Sequence, residues 1–162
     1  MLPAYFDNIT VRYLEPKDYE PYAALETDEE AKLYVGGPIK NRTREQIVQF
    51  MNYQPTTSLL ALADPLLDNY VGRCGFLDQD GTSETEIHIV LAREARKRGI
   101  AKTVVPLLAE LARSLGKIPM AIVDPENVRS RSLMNALGWK EIGIIDKENY
   151  QKGHIRYEPD SI

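Results

Sequence analysis

Apolar and polar residues alternate at the start of the chain, with Ile9, Val11 and Tyr13 set against Thr10 and Arg12. Residues 9–14 are therefore predicted to form a strand. Pro16 ends it, and residues 17–25 and 28–35 read as two short helices before Gly36-Gly37-Pro38 breaks the pattern. Residues 43–52 read as another helix, opened by a capping box in which Thr43 is the N-cap and Gln46 stands three positions on. Two strands follow, at about 58–63 and 70–77, joined by a turn bearing Asp, Pro and Asn. A Gly- and acid-rich turn, 78–83, leads into a fourth strand at 85–91.

The second half has a longer period. Apolar residues at 100, 101, 104, 105, 107, 108, 111, 112 and 115 make a broad helical stripe that Gly116 stops. Pro106 interrupts it, predicting either a kink or a helix that starts later. Residues 120–123 read as a short buried strand, 127–137 as a helix opened by Asp124-Pro125 and closed by Gly138, and 139–146 and 154–158 as closing strands. Interleaved strands and helices predict an α/β (α+β mixed) fold: a central mixed sheet of six to seven strands flanked by helices. No repeat, low-complexity tract or Gly/Ser linker divides the chain, so residues 1–162 are expected to form one domain.

Composition narrows the function classes. The chain has 162 residues, 43% of them apolar and 27% charged, within the globular range. No apolar run approaches the roughly 20 residues a bilayer-spanning helix needs, and the first residues carry no basic and apolar signal pattern. One Cys forms no internal disulfide, and two distant His with one Cys make no metal-binding pattern. A soluble cytoplasmic protein without a metal or membrane partner is expected. The net charge of −4 disfavours nucleic acid.

Against that acidic balance stands one basic cluster, Arg96-Lys97-Arg98-Gly99-Ile100-Ala101, between the fourth strand and the long helix. Cations, a glycine and a helix N-terminus suit a pyrophosphate, because N–H groups and the positive dipole end favour an anion. The same residues also fit a solvated turn, since cations at a helix start oppose its dipole. The cluster matches neither the Rossmann nor the P-loop fingerprint.

Residues 86–91 (Glu-Ile-His-Ile-Val-Leu) with 96–101 resemble motif A of the GNAT superfamily of N-acetyltransferases, a strand followed by R/Q-x-x-G-x-G/A, in which Arg96, Gly99 and Ala101 fill the fixed places. Asn127-Val128-Arg129-Ser130, Leu133 and Leu137-Gly138-Trp139 resemble the N-x-x-S…L-G-F element of that superfamily. Tyr34 to Pro38 and the strand Ile9-Thr10-Val11-Arg12 are similar to its RimJ/RimL-like branch. The likeness spans nearly the whole chain in the family's order.

The resemblance implies a GNAT-like sheet splayed between the fourth and fifth predicted strands, with acetyl-CoA as co-substrate in the gap. Backbone groups of Ile89, Val90 and Leu91 would pair with the pantetheine arm, and the backbone of Arg96, Lys97, Arg98, Gly99, Ile100 and Ala101 would hold the pyrophosphate. Asn127 would bind the pantetheine, or else cap its helix. The implied reaction is direct attack of a primary amine on the thioester, the acceptor being a protein or peptide N-terminus, an amino acid or a small amine. A non-catalytic module that binds acyl-CoA or CoA is the alternative, and a protein-interaction domain is a third reading. A homodimer is compatible with all of them.

Glu86 holds the place where this branch often carries a general base, and His88, on the same strand face by alternation, is the other candidate. Both also read as ordinary strand residues. The Tyr that many members use to protonate the leaving thiolate is replaced by Met134, and Ser130 fills the alternative place. Cys74 is expected to be a buried, inert thiol. An α-amine, with a pKa of about 7.7–8.0, costs roughly 1 kcal/mol to deprotonate near neutral pH, against roughly 4–5 for lysine. Acceptors of low pKa are therefore favoured. Specificity is expected in residues 34–44 and 146–153, which read as loops.

Overall fold

Ala4–Tyr5 (β1) pairs antiparallel with Thr10–Tyr13 (β2), matching Ala4 to Val11 and Tyr5 to Thr10. The computed structural model describes residues 1–146 and 151–160. Leu60–Ala63 (β3), Tyr70–Asp78 (β4), Glu84–Leu91 (β5), Ile118–Val123 (β6), Lys140–Ile144 (β7) and Ile155–Glu158 (β8) complete a sheet of strand order β1-β2-β3-β4-β5-β6-β8-β7. The sequence pattern predicts six to seven strands, and eight are present among the described residues. The additional one, β1, is two residues long and too short to show alternation.

The chain divides into two compact units, Met1–Gly75 with Ile89–Ile100, and Phe76–His88 with Ala101–Ile162. In the first, β2 pairs antiparallel with β3 and β3 with β4. The β3–β4 register runs Leu60 to Cys74, Ala61 to Arg73 and Leu62 to Gly72, then shifts so that Ala63 faces Tyr70. Val71 is thus an extra residue, a bulge. Helices Tyr19–Glu26 (α1), Glu29–Lys32 (α2) and Arg44–Gln49 (α3) belong to this unit. The predicted capping box is present: Thr43 Oγ1 accepts from Gln46 N–H at 3.2 Å and Thr43 N–H donates to Gln46 Oε1 at 2.8 Å. The second predicted helix is shorter than expected. After Lys32 its carbonyl accepts from Val35 and Gly37 N–H, and Gly36 and Gly37 take φ of 84° and 73°, which ends the helix. Leu14, Leu25, Ala61, Tyr70 and Val90 form a buried cluster, with Tyr19, Tyr22, Ala31, Met51, Tyr53, Leu59 and Ala92 packed against it.

In the second unit β5 and β6 run parallel, with Glu84 opposite Ile118, Thr85 opposite Pro119 and Glu86 opposite Met120. This ladder ends at Glu86, and from Ala121 onward β6 pairs antiparallel with β8, which pairs with β7. Arg156 on β8 donates to Glu84 on β5 at 2.6 and 3.2 Å, tying two strands that flank β6. Helix Ile100–Ser114 (α4) starts where the apolar stripe begins and continues through Pro106, so the later start is not observed. Pro106 and Lys102, whose carbonyl loses its N–H partner, both lie on the exposed side, where water can satisfy that carbonyl. The stripe itself is buried at Ile100, Val104, Val105, Leu108, Leu111 and Ala112. Val128–Ala136 (α5) follows. Among the described residues no helix is long and apolar enough to cross a membrane.

Candidate active site

The basic segment leaves β5 through a 3-10 turn, Arg93–Ala95, and enters α4 at Ile100, which is buried. Lys97 and Gly99 take left-handed φ of 61° and 72°. At Gly99 it is this conformation that favours glycine and not lack of space, since a Cβ there would meet only Asn8 Nδ2 at 3.9 Å. Two of the three cations already have carboxylate partners: Arg96 Nη1 lies 2.7 Å from Glu30 Oε1, and Arg98 Nη2 lies 3.6 Å from Asp64 Oδ2. Arg96 Nε also donates to Leu91 O at 3.3 Å, and Asn8 Nδ2 donates to Arg98 O at 3.3 Å. The N–H groups of Leu67 and Leu66, and then Arg98, hold Asp64 below the usual carboxylate range, so it stays charged for this pairing. Lys97 is exposed and pairs with no carboxylate among the described residues. The two arginines brace the loop, and Lys97 stands exposed shortly before the N-terminus of a 15-residue helix, a set of donors chemically suited to an anion.

At the end of β5, Val90 is buried and Ile89 and Leu91 are half-buried. A Cβ at Gly72 would overlap the Val90 carbonyl oxygen and come within 3.2 Å of Leu91 Cα, so glycine permits this close backbone approach.

In the second unit, Glu86 is 9% exposed and Oε2 accepts from Gln151 Nε2 at 2.7 Å. Burial pushes its carboxyl above the usual value, with the Gln151 hydrogen bond and the His154 charge opposing. A carboxylate raised in this way is a better proton acceptor. His154 Nε2 lies 3.8 Å from Asp124 Oδ2, and its Nδ1 is buried without a hydrogen-bond partner among the described residues. Its backbone N–H donates to Gln151 O at 3.0 Å, so one turn presents both side chains. Sequence reading places Gln151 in the specificity segment 146–153 and His154 at the start of a closing strand, and relates neither to Glu86. A polar pair flanking Lys152-Gly153 just before a strand is the only signal there, and it does not reveal which carboxylate they face. The predicted specificity segment 146–153 falls in part, at residues 147–150, outside the described residues.

His88 is half-buried. Asn127 caps α5, its Oδ1 accepting from Ser130 N–H at 3.2 Å, and Asp124 Oδ1 accepts from Glu126 N–H at 2.9 Å. The Ser130 hydroxyl is half-buried and makes no hydrogen bond among the described residues. Ala101 is half-buried in the first turn of α4. Met134 is buried and has no proton to donate. Burial drives the Cys74 thiol far above its usual value, so it is held as an inert thiol.

The chain is 25% identical over 161 residues to the uncharacterized N-acetyltransferase p20 of Bacillus licheniformis, covering 93% of this chain and 89% of that one. Its fold is similar to ribosomal-protein-S5-alanine acetyltransferase from Vibrio fischeri, with TM-score 0.73, 18% identity and coverage of 97% and 95% of the two chains. It is also similar to spermidine N-acetyltransferase from Vibrio cholerae in complex with CoA and spermine, with TM-score 0.71, 16% identity and coverage of 94% of each chain. The family model of the acetyltransferase (GNAT) domain matches residues 8–140, and with the glycine-bearing basic loop and short parallel ladder already in place, this chain belongs to the GNAT acetyltransferases.

Proposed function

We propose that this protein is an acetyl-CoA-dependent N-acetyltransferase of the RimJ/RimL-like branch, working in the cytoplasm as one domain over residues 1–162. The buried Glu86 carboxylate, held by Gln151 and raised by burial, is the observation that carries the catalytic reading. Support for the branch comes from the fold likeness to a ribosomal-protein alanine acetyltransferase, and for CoA from the likeness to a neighbour solved with it.

The roles proposed are those that the resemblance to the GNAT superfamily implies for each position. Backbone groups of Ile89, Val90 and Leu91 hold the pantetheine arm. The segment Arg96, Lys97, Arg98, Gly99, Ile100 and Ala101 holds the pyrophosphate, and the amide nitrogen of Asn127, left over from capping, reaches the pantetheine. A neutral primary amine attacks the thioester carbonyl carbon, forming the C–N bond as the C–S bond breaks. Glu86 takes the proton the nitrogen loses, directly or through water, and the CoA thiolate leaves with a hydrogen bond from the Ser130 hydroxyl. A thiol pKa of about 8.5 makes that thiolate a tolerable leaving group, so Met134 in place of an acid lowers the rate without abolishing it. A second copy of the chain is compatible with every role.

Substituting Glu86→Gln tests this. The amide keeps an acceptor oxygen for Gln151 but no basicity, so turnover should fall about 100-fold or more. Acetyl-CoA should still raise the thermal midpoint. Unchanged turnover would remove Glu86 from the mechanism. The buried Met134 favours a second reading, a module that binds CoA without transfer. Acetyl-CoA binding with no turnover by wild type on any amine would establish it.

A further inference from the structure

Glu86 sits where strand pairing changes over within the second unit. It is the last β5 residue in the ladder with β6, opposite Met120, and from Ala121 onward β6 pairs with β8 instead. Because β8 runs antiparallel to β6, its first residue, Ile155, pairs with Val123. The turn ahead of β8 therefore lies at that end of β6, where His154 meets Asp124, and it reaches Glu86 through Gln151.

Three backbone hydrogen bonds fix this turn. Ile145 N–H donates to His154 O at 2.8 Å, Gly153 N–H to Ile145 O at 2.9 Å, and His154 N–H to Gln151 O at 3.0 Å. Gly153 supplies the left-handed φ of 87° that the reversal needs. Gln151 is 7% exposed, and its Nε2 donates to Glu86 Oε2 at 2.7 Å. Oε1 accepts from no group among the described residues. The two oxygens of one carboxylate are thus unlike, one held and the other open.

Two consequences follow for a base. An N–H donor favours the ionised carboxylate, the form that can take a proton, against burial, which favours the neutral acid. The bond also restricts the glutamate torsions, and a base works only when an oxygen lies within hydrogen-bond reach of the proton. The titratable and charged groups on the surrounding elements are Glu84 and His88 on β5, Asp124 after β6, Lys152 and His154 in the turn, and Arg156 on β8. Glu84 is matched by Arg156, Asp124 lies beside His154, and the charge of His154 acts on Glu86 in the same direction as Gln151.

We propose that Gln151 is a positioning residue for the transfer, its amide clamping Oε2 of Glu86 so that Oε1 is the oxygen that takes the proton from the attacking amine. This rests on the reading of Glu86 as the base. The proton passes from nitrogen to Oε1, directly or through water, and Gln151 keeps both of its amide hydrogens throughout.

The test is a double-mutant cycle on the full chain, read by CoA release with whichever amine wild type turns over. Gln151→Met is nearly isosteric and has no donor. Its kcat should fall about tenfold, the scale of one hydrogen bond to a charged group, with KM for acetyl-CoA and amine unchanged. The acid limb of its rate profile should move to higher pH, because the ionised carboxylate has lost a donor. In a Glu86→Gln background the same substitution should cost nothing further, whereas any role of Gln151 apart from Glu86 would persist there. Gln151→Asn, an amide one methylene short of Oε2, should lose kcat like Gln151→Met, and thermal midpoints confirm that each variant is folded. A loss of equal size in both backgrounds, a rise in KM alone, an unmoved acid limb or full activity in Gln151→Asn would overturn the proposal. Full activity in Gln151→Met beside an inactive Glu86→Gln would also overturn it and leave the base standing. Unchanged turnover in Glu86→Gln would overturn both.

Discussion

At the scale of single residues, the proposed base Glu86 would have to do two things that conflict. Burial raises its carboxyl above the usual 4.5, which improves it as a base and makes its ionised form costly to hold in the fold. A carboxyl raised in the native state contributes stability that is present below its unfolded value and lost as pH rises through its folded value. Glu86→Gln removes that loss. The variant and wild type should therefore melt alike in mild acid, and the variant should gain relative to wild type as pH rises toward neutrality. Activity should move oppositely. The wild-type kcat/KM should carry an acid limb above pH 4.5 from Glu86 and a second from the amine, and the variant should keep only the amine's. Melting curves and rate profiles over the same pH series check both halves. A variant that is less stable than wild type at neutral pH would mean that the carboxylate is held by more than Gln151.

Elements were legible where a repeating pattern met a chemical stop. The Thr43–Gln46 box, the stripe of α4 and the alternation of β2 and β5 all appear where local residues place them. The basic loop before α4 was equally plain, because its charge and Gly99 are contiguous in sequence. Hidden features are those that depend on distant strands. The bulge at Val71 exists only in the register with β3, and its effect, aligning Tyr70 with Arg73, inverts what alternation alone predicts. Gln151 and His154 matter only because their turn meets Glu86, 65 residues away from Gln151. Gly72 reads as a weak strand residue until the Val90 backbone is seen against it. Its φ is not left-handed, so Gly72→Ala tests the close approach and not the backbone conformation. Overlap with the Val90 carbonyl should destabilise the fold by about 1–3 kcal/mol, measured by urea unfolding. Gly81→Ala, in an open turn with φ of 75°, isolates the cost of conformation and should be the milder change. Equal losses at both positions would show that the two backbones part without strain.

For the whole molecule the unsolved problem is charge. On the proposed function, a protein of net charge −4 has to hold a polyanion. Distant carboxylates repel acetyl-CoA, but at 0.1 M salt the screening length is about 10 Å, so charges nearer than that decide the outcome. Arg96 and Arg98 are each matched by a carboxylate, which leaves Lys97 as the cation of the loop without one among the described residues. Acetyl-CoA at about 100 times its dissociation constant should stabilise the protein by about 2.7 kcal/mol. If local attraction governs, affinity should weaken steadily from 0.1 to about 1 M salt. If net repulsion governed, salt would strengthen it. Lys97→Gly separates charge from backbone, because glycine adopts the φ of 61° more easily than lysine does. The unliganded protein should be as stable as wild type or more so, while acetyl-CoA affinity falls about two- to fivefold and its salt dependence flattens, as for loss of one exposed ion pair. Titration calorimetry at several salt concentrations reads both. Undiminished affinity in Lys97→Gly, with an unchanged salt slope, would assign the pyrophosphate to the backbone and helix terminus alone, with the basic side chains serving only to shape the loop.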